Sequence, residues 1–526
     1  MKIIRTTKYL SSLGIALMLV LFSVSCEDLV DESPISEIDP DNFFRNNADA
    51  QASVIGIYDA MQAAFRLKHY YWGEFRGDSY VNGNEGANAN NIELTVNNVT
   101  SGNGGVLRWN DFYDMVNRAN FAITNIPNIP GFDANLLGEA QALRAYAYFQ
   151  AIRVWGSVPL FTEPVEAAGP ELFRPRTDAN TIINEIIIPD MLAAEENMGL
   201  VRDPYRFTLT SIWALQADVY GFLGDDENAR EALLKVVNSG EFSLVTDAEA
   251  WQNLFLNDDG EGGGPMKMQT GPELIMSIGY SLDDVPGSGN RNRAGIFNLF
   301  FAGIPSFTLS PTLENKWREK FPLDSLGWVT KYPDTDPVLT QEIVFLDENG
   351  VEQDSIAPIY GDYRFFFSRE GGTNLDERLI GEARLAKYNK NNYNQIFDDS
   401  DMVLYRYAGI LLYLAEVENR LNNAPRALEI LNEFRTARQL PLVTEAEFGA
   451  TEDEREIFIL DERQLELIGE GQRWWDLRRT NRAIEILNPI LNDLDGGVPL
   501  TQERLLFPIF DEHLIDNPEL TQTPGY

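Results

Sequence analysis

The stretch that decides the fold is TLTSIWALQADVYGFLGDDENAREALLKVVNSG, residues 208–240. Its first half places Ile212, Leu215, Val219 and Leu223 on one face of a helix, because these positions recur at about one helical turn. The polar residues DDEN follow, and the second half repeats the spacing with Ala229 and Leu233. Two helices joined by so short a turn pack side by side in opposite directions. The stretch therefore predicts a helical hairpin.

Related helical patterns occur on both sides of this hairpin. They cover residues 48–65, 109–126 and 136–156 before it, and residues 404–439 after it. Broad apolar faces with small residues at the contacts are typical of tetratricopeptide-like helix pairs, although the usual consensus is incomplete here. We therefore predict a mainly α chain built of tetratricopeptide-like helix pairs. Residues 459–479, ILDERQLELIGEGQRWWDLRR, are predicted as one further long helix.

The helical pattern also predicts which side chains are buried. The first helix is predicted to begin near Ala48 and to bury the face that carries Ile55 and Tyr58. Trp155 and Trp213 lie on helices among apolar neighbours, so both are predicted to be in the core. Trp109 opens a helix, and the pattern does not decide between core and surface.

Residues 238–399 have a different character. The segments GEGGGP, GSGNRNRAG and FPLDSLGWVTKYPDTDP are rich in Gly, Pro and Asn, which favours loops and turns. Long irregular segments on a rigid scaffold usually carry function. We therefore predict a helical N-terminal part (48–237), an irregular, loop-rich ligand-binding subdomain (238–399) and a helical C-terminal part (400–526).

The N-terminus indicates export. A basic start, MKIIRTTK, precedes an apolar run that ends at Cys26, the one cysteine of the chain. This is the pattern of a signal peptide, and a lone cysteine after small residues is best explained as a lipidation site. Residues 1–25 are thus predicted to be a lipoprotein signal peptide. Residues 26–47, which are acidic and contain two prolines, are predicted to be a tether.

Composition and motifs argue against several functions. With 81 acidic against 42 basic residues the net charge is −39, which opposes binding to nucleic acid. His69 and His513 are the two histidines and do not form a metal-ligand pattern. Nucleophile and phosphate-binding motifs are also missing. We therefore predict a protein that is not an enzyme and needs no metal or cofactor, while a glycosidase pair among the 81 acids stays open.

Aromatic residues beside short polar side chains are the better signal. Sugar rings stack their C–H faces on Trp and Tyr, and Asp, Asn and Arg bind the hydroxyls. Such residues occur in HYYWGEFRGDSYVNGN, residues 69–84, and in the middle region. The predicted ligand-binding residues are Tyr71, Trp72, Arg76, Asp78, Asn82, Trp317, Trp328 and Tyr363.

An acidic ligand would need fixed cations. The candidates in the middle region are Arg291, Arg293, Arg364 and Arg369, because the planar guanidinium matches carboxylate and sulfate oxygens. The strongly negative charge of the whole chain repels such ligands. We therefore favour a neutral glycan over a uronate.

Four segments resemble the SusD/RagB family of nutrient-binding outer-membrane lipoproteins. They are LGEAQALRAYAYFQAIRVWGSVPLFTEP (137–164), LYRYAGILLYLAEVENRLN (404–422), DERQLELIGEGQRWWDLRR (461–479) and LFPIFDEHLIDNPELTQTPGY (506–526). The resemblance implies four tetratricopeptide-like helix pairs with the ligand-binding subdomain packed on them. It also implies that Trp474 and Trp475 are packing residues and that Arg463 and Glu466 are partners in structural ion pairs.

The resemblance further implies a function. Members of this family are anchored by lipid to the outer membrane, usually facing outward, and act with a TonB-dependent SusC-like transporter. They capture an oligosaccharide or polysaccharide and deliver it to the transporter without catalysis. A family member specialised for peptides is the alternative, and a glycoside hydrolase is a more distant one.

Overall fold

The computed structural model describes residues 43–83, 88–167, 169–256, 269–281, 295–301, 305–346, 350–370, 381–388 and 399–526, and all structural statements concern these residues. The predicted signal peptide, Cys26 and most of the predicted tether lie outside them. Arg291 and Arg293 also lie outside the described residues.

The N-terminal part is helical, with one short strand. Its helices are α1 (Asn47–Phe65), α2 (Lys68–Gly73), α3 (Ala89–Thr95), α4 (Gly104–Leu107), α5 (Asn110–Asn125), α6 (Ala134–Trp155), α7 (Ala179–Ile182), α8 (Ile188–Asn197), α9 (Leu209–Leu223) and α10 (Asp226–Asn238). Strand β1 is Tyr80–Asn82, and a π-helical turn, Ile183–Ile187, joins α7 to α8.

The remaining elements follow in chain order. The middle region contributes α11 (Ala248–Asn253), β2 (Leu274–Ile278), β3 (Phe307–Leu309), α12 (Pro311–Lys320), α13 (Ser325–Lys331), β4 (Leu339–Leu346), β5 (Glu352–Ile359) and α14 (Tyr363–Ser368). The C-terminal part contributes β6 (Met402–Arg406), α15 (Tyr407–Arg420), α16 (Ala424–Ala437), α17 (Glu445–Phe448), α18 (Glu452–Leu467), α19 (Arg473–Arg479), α20 (Ala483–Asp493) and α21 (Asp511–Asp516).

Packed helix pairs form the scaffold. In the described chain four pairs stand out, α1 with α5, α6 with α8, α9 with α10, and α15 with α16. Neighbouring pairs also touch, through α5 and α6, α8 and α9, and α10 and α15, so the pairs form a continuous stack. The prediction of a mainly α fold with tetratricopeptide-like helix pairs is confirmed.

The hairpin at residues 208–240 forms as its sequence predicts. Thr208 and Ser211 cap the start of α9, and Gly224 ends it with a φ of 73°, a conformation that glycine adopts without strain. Ile212, Leu215 and Val219 are buried, whereas Leu223, the last residue of α9, is 42% exposed. The apolar stripe therefore faces the neighbouring helices.

The two tryptophans assigned to the core differ in burial. Trp155 is fully buried, which confirms the prediction. Trp213 is half-buried at the margin of the core, and its indole donates a 2.8 Å hydrogen bond to Glu195.

Two local predictions are wrong. Helix α1 begins as expected, but it buries Val54 and Ile57 and leaves Ile55 53% exposed. The helix is apolar around most of its circumference, so its own pattern does not show which side meets α5. The long helix predicted for residues 459–479 is broken between α18 and α19, where Gly469 and Gly471 have φ of 74° and 69°.

The middle region is joined to the helical parts rather than separate from them. The strands pair antiparallel as β1–β3, β2–β6 and the hairpin β4–β5. Strand β2 belongs to the middle region and β6 to the C-terminal part, so this pairing crosses the predicted boundary at residue 399. The described middle region also holds more regular structure than its composition suggested. The boundaries themselves stay predictions.

A buried ionic network fixes this junction. Glu466, at the end of α18, accepts hydrogen bonds from Arg364 (2.9 Å), Arg406 (2.7 Å) and Arg438 (2.8 Å). All of these side chains are fully buried, and Glu273, Asp362, Glu462 and Glu470 share the same three arginines. We call this set the glutamate network. It joins α18 to β2, β6, α14 and α16.

No helix within the described residues is long and apolar enough to span a bilayer.

Candidate ligand-binding site

The structure places the predicted aromatic platform inside the protein. Trp72 is 1% exposed, donates to the carbonyl of Val106 (3.0 Å) and packs edge-on against Phe65 and Trp155. Tyr71 is also buried, and burial raises its pKa to about 12. The prediction that these rings offer a stacking surface is wrong, because their faces are covered by the core.

The polar residues of the same segment are structural as well. Arg76 is buried between the rings of Trp474 (4.3 Å) and Phe507 (4.6 Å). Asp78 is buried and forms a two-pronged ion pair with Arg473 (2.7 and 3.0 Å). Burial opposes ionisation, but the cations Arg473 and Lys316 prevail and lower the pKa of Asp78 to about 2. Neither side chain is available to a ligand.

Asn82 lies at the end of β1. It is half-buried and accepts a 2.7 Å hydrogen bond from Thr95. Its proposed contact with a ligand stays a prediction.

The three aromatic residues predicted in the middle region are buried too. Trp317 donates to Asp362 (2.9 Å), and Trp328 donates to the carbonyl of Thr335 (2.7 Å). Tyr363 packs edge-on against Trp251 in the core. The two indole N–H groups are therefore satisfied within the protein, one by a carboxylate and one by a backbone carbonyl.

The described arginines proposed for an acidic ligand are also occupied. Arg364 is part of the glutamate network, and Arg369 is buried against Glu314 (2.5 Å). Both bind carboxylates of the chain itself, which rules out the proposed ligand contact for these two residues. Trp474 and Trp475 are buried, as predicted. Arg463 and Glu466 are both in buried ion pairs, with Asp476 and the three arginines respectively.

An accessible aromatic pocket occurs elsewhere, at a junction of distant segments. We call it the tyrosine pocket, and its lining residues are Tyr58, Met61, Gln62, Tyr205, Met276, Ser277, Ile278, Gly279, Tyr280 and Ser281. Its volume is about 310 Å³, at the lower end of the range for small-molecule sites. Helix α1 supplies one wall, β2 and the residues after it supply another, and Tyr205 forms the rim with 41% of its surface exposed.

Hydrogen bonds hold the three segments together. One oxygen of Asp401 accepts from the hydroxyl of Tyr205 (2.9 Å), and the other accepts from the backbone N–H of Tyr280 (2.9 Å). The Tyr280 hydroxyl donates to the carbonyl of Gln62 (3.0 Å), and the Gln62 side chain donates to the carbonyl of Gly279. The pocket is therefore preorganised by its own lining.

The chemistry of the pocket suits an uncharged, hydroxyl-rich ligand. Its lining residues are Tyr, Met, Gln, Ser, Ile and Gly, without a charged side chain among them. Glu139 lies behind Tyr58 and accepts from its hydroxyl (2.8 Å), and Arg206 neutralises this carboxylate (2.6 Å). The buried hydroxyl of Ser277 has no hydrogen-bond partner in the described chain. The pocket thus offers ring faces and polar groups, but no pair of carboxylates for hydrolysis.

A second aromatic surface lies at the start of α5. This groove has a volume of about 370 Å³ and includes Tyr113, Phe161 and the half-exposed Phe173. Trp109 is buried at its edge and stacks on His513 (4.7 Å), which settles the position that the sequence left open. Its lining is largely apolar but includes Asp114 and Asp516, so the groove carries charged side chains that the tyrosine pocket lacks.

Among the described residues, no group of three or more His, Cys, Asp and Glu side chains is placed to hold a metal ion.

Comparisons with known proteins identify the family. A family model described as "SusD family" matches residues 248–526, and one described as "Starch-binding associating with outer membrane" matches residues 30–220. A SusD-like protein of Formosa agariphila is 41% identical over 508 residues, which is 95% of this chain and 96% of the relative. A second from the same organism is 27% identical over 546 residues, 97% of this chain and 98% of the relative.

Solved structures agree on the fold. A SusD-like protein of Bacteroides fragilis superposes with a TM-score of 0.68 at 18% identity, over 94% of this chain and all of that chain. A structure described as a laminarin-binding SusD-like protein has a TM-score of 0.64 at 21% identity, over 92% and 100%. The chain belongs to the SusD family.

Proposed function

We propose that this protein binds a neutral oligosaccharide or polysaccharide at the outer membrane and that the tyrosine pocket holds part of the glycan. The observation that carries the proposal is the exposed ring of Tyr205 above an uncharged, hydroxyl-lined pocket. A ring face stacks on a sugar, while the partly exposed Gln62 offers a partner for hydroxyls. The starch-binding description of one matching family model and the laminarin-binding neighbour support the same class of ligand.

The proposal includes location and partners. The family resemblance and the apolar run that ends at Cys26 support a lipid anchor on the outer face of the outer membrane. The protein would then act without catalysis, passing glycan to a SusC-like TonB-dependent transporter. Co-purification of such a transporter with the membrane-bound protein tests the partnership.

Replacement of Tyr205 tests the pocket. Stacked aromatic residues contribute about 1–3 kcal/mol per ring, so Tyr205→Ala should weaken binding of laminarin or another neutral oligosaccharide about tenfold or more. Tyr205→Phe keeps the ring and should retain affinity close to the wild type. Calorimetric titration with a panel of neutral oligosaccharides gives these values.

The matched control uses the aromatic groove. Phe173 is 49% exposed, so Phe173→Ala removes a comparable ring from the other site. If Phe173→Ala loses glycan affinity and Tyr205→Ala keeps the affinity of the wild type, the glycan site is the groove and not the tyrosine pocket. A turnover assay on the same panel would reveal a hydrolase, and tight binding of mixed peptides without glycan binding would favour the peptide-binding alternative.

A further inference from the structure

A large cleft lies apart from the tyrosine pocket. It has a volume of about 730 Å³ and lies between the ends of α9, α15 and α19 and the C-terminal segment that includes Gln502. Five arginines line it, namely Arg153, Arg420, Arg478, Arg479 and Arg482. We call it the arginine cleft.

The arginines at the rim of the cleft are neutralised by the chain itself. Arg420 pairs with Glu416 (2.8 Å) and Glu456 (3.1 Å), and Arg479 pairs with Glu416 (2.8 Å). Arg482 pairs with Glu456 (3.0 Å) and with further carboxylates. The rim therefore carries no excess of positive charge.

The inner wall differs from the rim. Arg478 is partly exposed, and its hydrogen bond goes to the carbonyl of Arg153. No carboxylate of the described chain lies within 4.0 Å of the Arg478 guanidinium, so Arg478 has no ion-pair partner among the described residues. Its nearest aromatic neighbour is Trp475, whose ring centre lies 5.9 Å away.

Two further guanidinium groups lie behind Arg478. Arg153 is stacked between Phe149 (4.3 Å) and Trp475 (4.4 Å), pairs with Asp218 at 3.3 Å, and has a buried Nε without a hydrogen-bond partner. Arg76 donates to backbone carbonyls and to an amide oxygen rather than to a carboxylate. Among the described residues, Asp218 is thus the one carboxylate that pairs with this group of three cations, and it pairs with Arg153.

The chain as a whole is acidic, whereas Arg76, Arg153 and Arg478 form a locally positive group. Acidic residues outnumber basic ones by 81 to 42, so carboxylates are plentiful as partners. Burial and repulsion from Arg76 and Arg153 lower the pKa of Arg478 to about 9, and burial lowers the pKa of Arg76 to about 10. An anion beside Arg478 would relieve this repulsion.

We propose that the inner wall of the arginine cleft is a binding site for an oxyanion, with Arg478 as its main ligand. The free edge of a guanidinium donates two parallel hydrogen bonds to the oxygens of a sulfate, phosphate or carboxylate. Such a group is available as an inorganic ion or as a sulfate ester or carboxylate of a saccharide. The site is distinct from the uncharged tyrosine pocket and does not depend on it.

Titration of the intact protein with sodium sulfate, against sodium chloride at equal ionic strength, tests the site. Sulfate should bind the wild type and raise its melting temperature, and Arg478→Gln should weaken this binding about tenfold. Arg118→Gln is the matched control, because Arg118 is an exposed cation outside the cleft that pairs with Asp59 and Asp114. It should behave as the wild type.

Two further measurements address the source of the anion and the role of the planar guanidinium group of Arg478. A sulfated monosaccharide or a uronate trisaccharide that binds at least about tenfold more tightly than sulfate would identify a saccharide-borne anion, and equal binding would identify the inorganic ion. Arg478→Lys keeps the charge but loses the planar guanidinium, so it should retain part of the affinity for sulfate. If Arg478→Gln does not fold, Arg478→Lys provides the test. Sulfate that binds no better than chloride, or that binds both Arg478 variants as well as the wild type, overturns the proposal.

Discussion

Replacement of Glu466 by glutamine should destabilise the protein strongly, because this carboxylate lies at the centre of the glutamate network. Its two oxygens accept hydrogen bonds from Arg364, Arg406 and Arg438, and all four side chains are fully buried. Breaking a buried ion pair by removing one partner typically costs about 3–5 kcal/mol. In Glu466→Gln the three arginines still have Glu273, Asp362 and other carboxylates as ion-pair partners. We therefore expect the free energy of unfolding to fall by about 3 kcal/mol, the lower end of this range.

The expected change in melting temperature is small but measurable. An unfolding entropy of about 2.1 cal/mol/K per residue gives about 1 kcal/mol/K for a chain of this length, so Glu466→Gln should lower Tm by about 3 °C. Urea denaturation gives the free energy directly. The control is Glu429→Gln, which removes the same charge from an exposed pair with Arg426 and should cost less than about 1 kcal/mol.

The pH dependence supplies an independent check. Although burial opposes ionisation, Arg438, Arg406 and Arg364 hold the pKa of Glu466 well below its ordinary value. A carboxyl group with a lowered folded-state pKa stabilises the protein above its unfolded pKa of about 4.3, and this contribution is lost as the pH falls. The difference in the free energy of unfolding between the wild type and Glu466→Gln should therefore decrease below about pH 4. A Glu466→Gln protein as stable as Glu429→Gln at neutral pH would refute the reasoning.

Two further predictions concern Trp72 and Cys26. Trp72→Ala removes a buried ring and the hydrogen-bond donor of the Val106 carbonyl, so it should lower the free energy of unfolding by about 3–5 kcal/mol, measured by denaturation. Unchanged stability with loss of glycan binding would instead indicate that Trp72 is exposed and contacts the glycan. Cys26→Ala should release the protein from the membrane fraction without altering its circular dichroism spectrum, and membrane association that persists in this variant would exclude lipidation at Cys26.

The helical scaffold could be predicted because its signal is local. Within residues 208–240, one apolar stripe per helix and a polar turn are enough to specify a hairpin. The break before α19 was missed because Gly469 and Gly471 interrupt an otherwise continuous helical pattern. In an isolated helix such glycines cost only about 1 kcal/mol each, so their effect depends on the surrounding packing.

The ligand-binding residues could not be predicted in the same way. Trp72 and Trp317 carry the pattern expected of a sugar platform, an aromatic ring beside short polar residues. In the structure their indole N–H groups bond to the carbonyl of Val106 and to Asp362, both distant in sequence, so the local pattern does not show whether a ring is buried. The tyrosine pocket joins Tyr58, Tyr205 and Tyr280, which are too distant in sequence for any spacing rule to connect them.

The β2–β6 pair connects the glutamate network to the tyrosine pocket. Glu273 immediately precedes β2, its carboxylate pairs with Arg406 at the end of β6, and its carbonyl accepts from the backbone N–H of Tyr407 (2.8 Å). The far end of β2 leads into Gly279 and Tyr280, which line the pocket. Loosening the network should therefore also disorder the pocket, so Glu466→Gln should weaken glycan binding without touching the ligand. Tyr205→Ala should weaken binding with a smaller loss of stability, because Tyr205 is 41% exposed and gives up one hydrogen bond to Asp401. This difference separates a residue that contacts the ligand from one that supports the site.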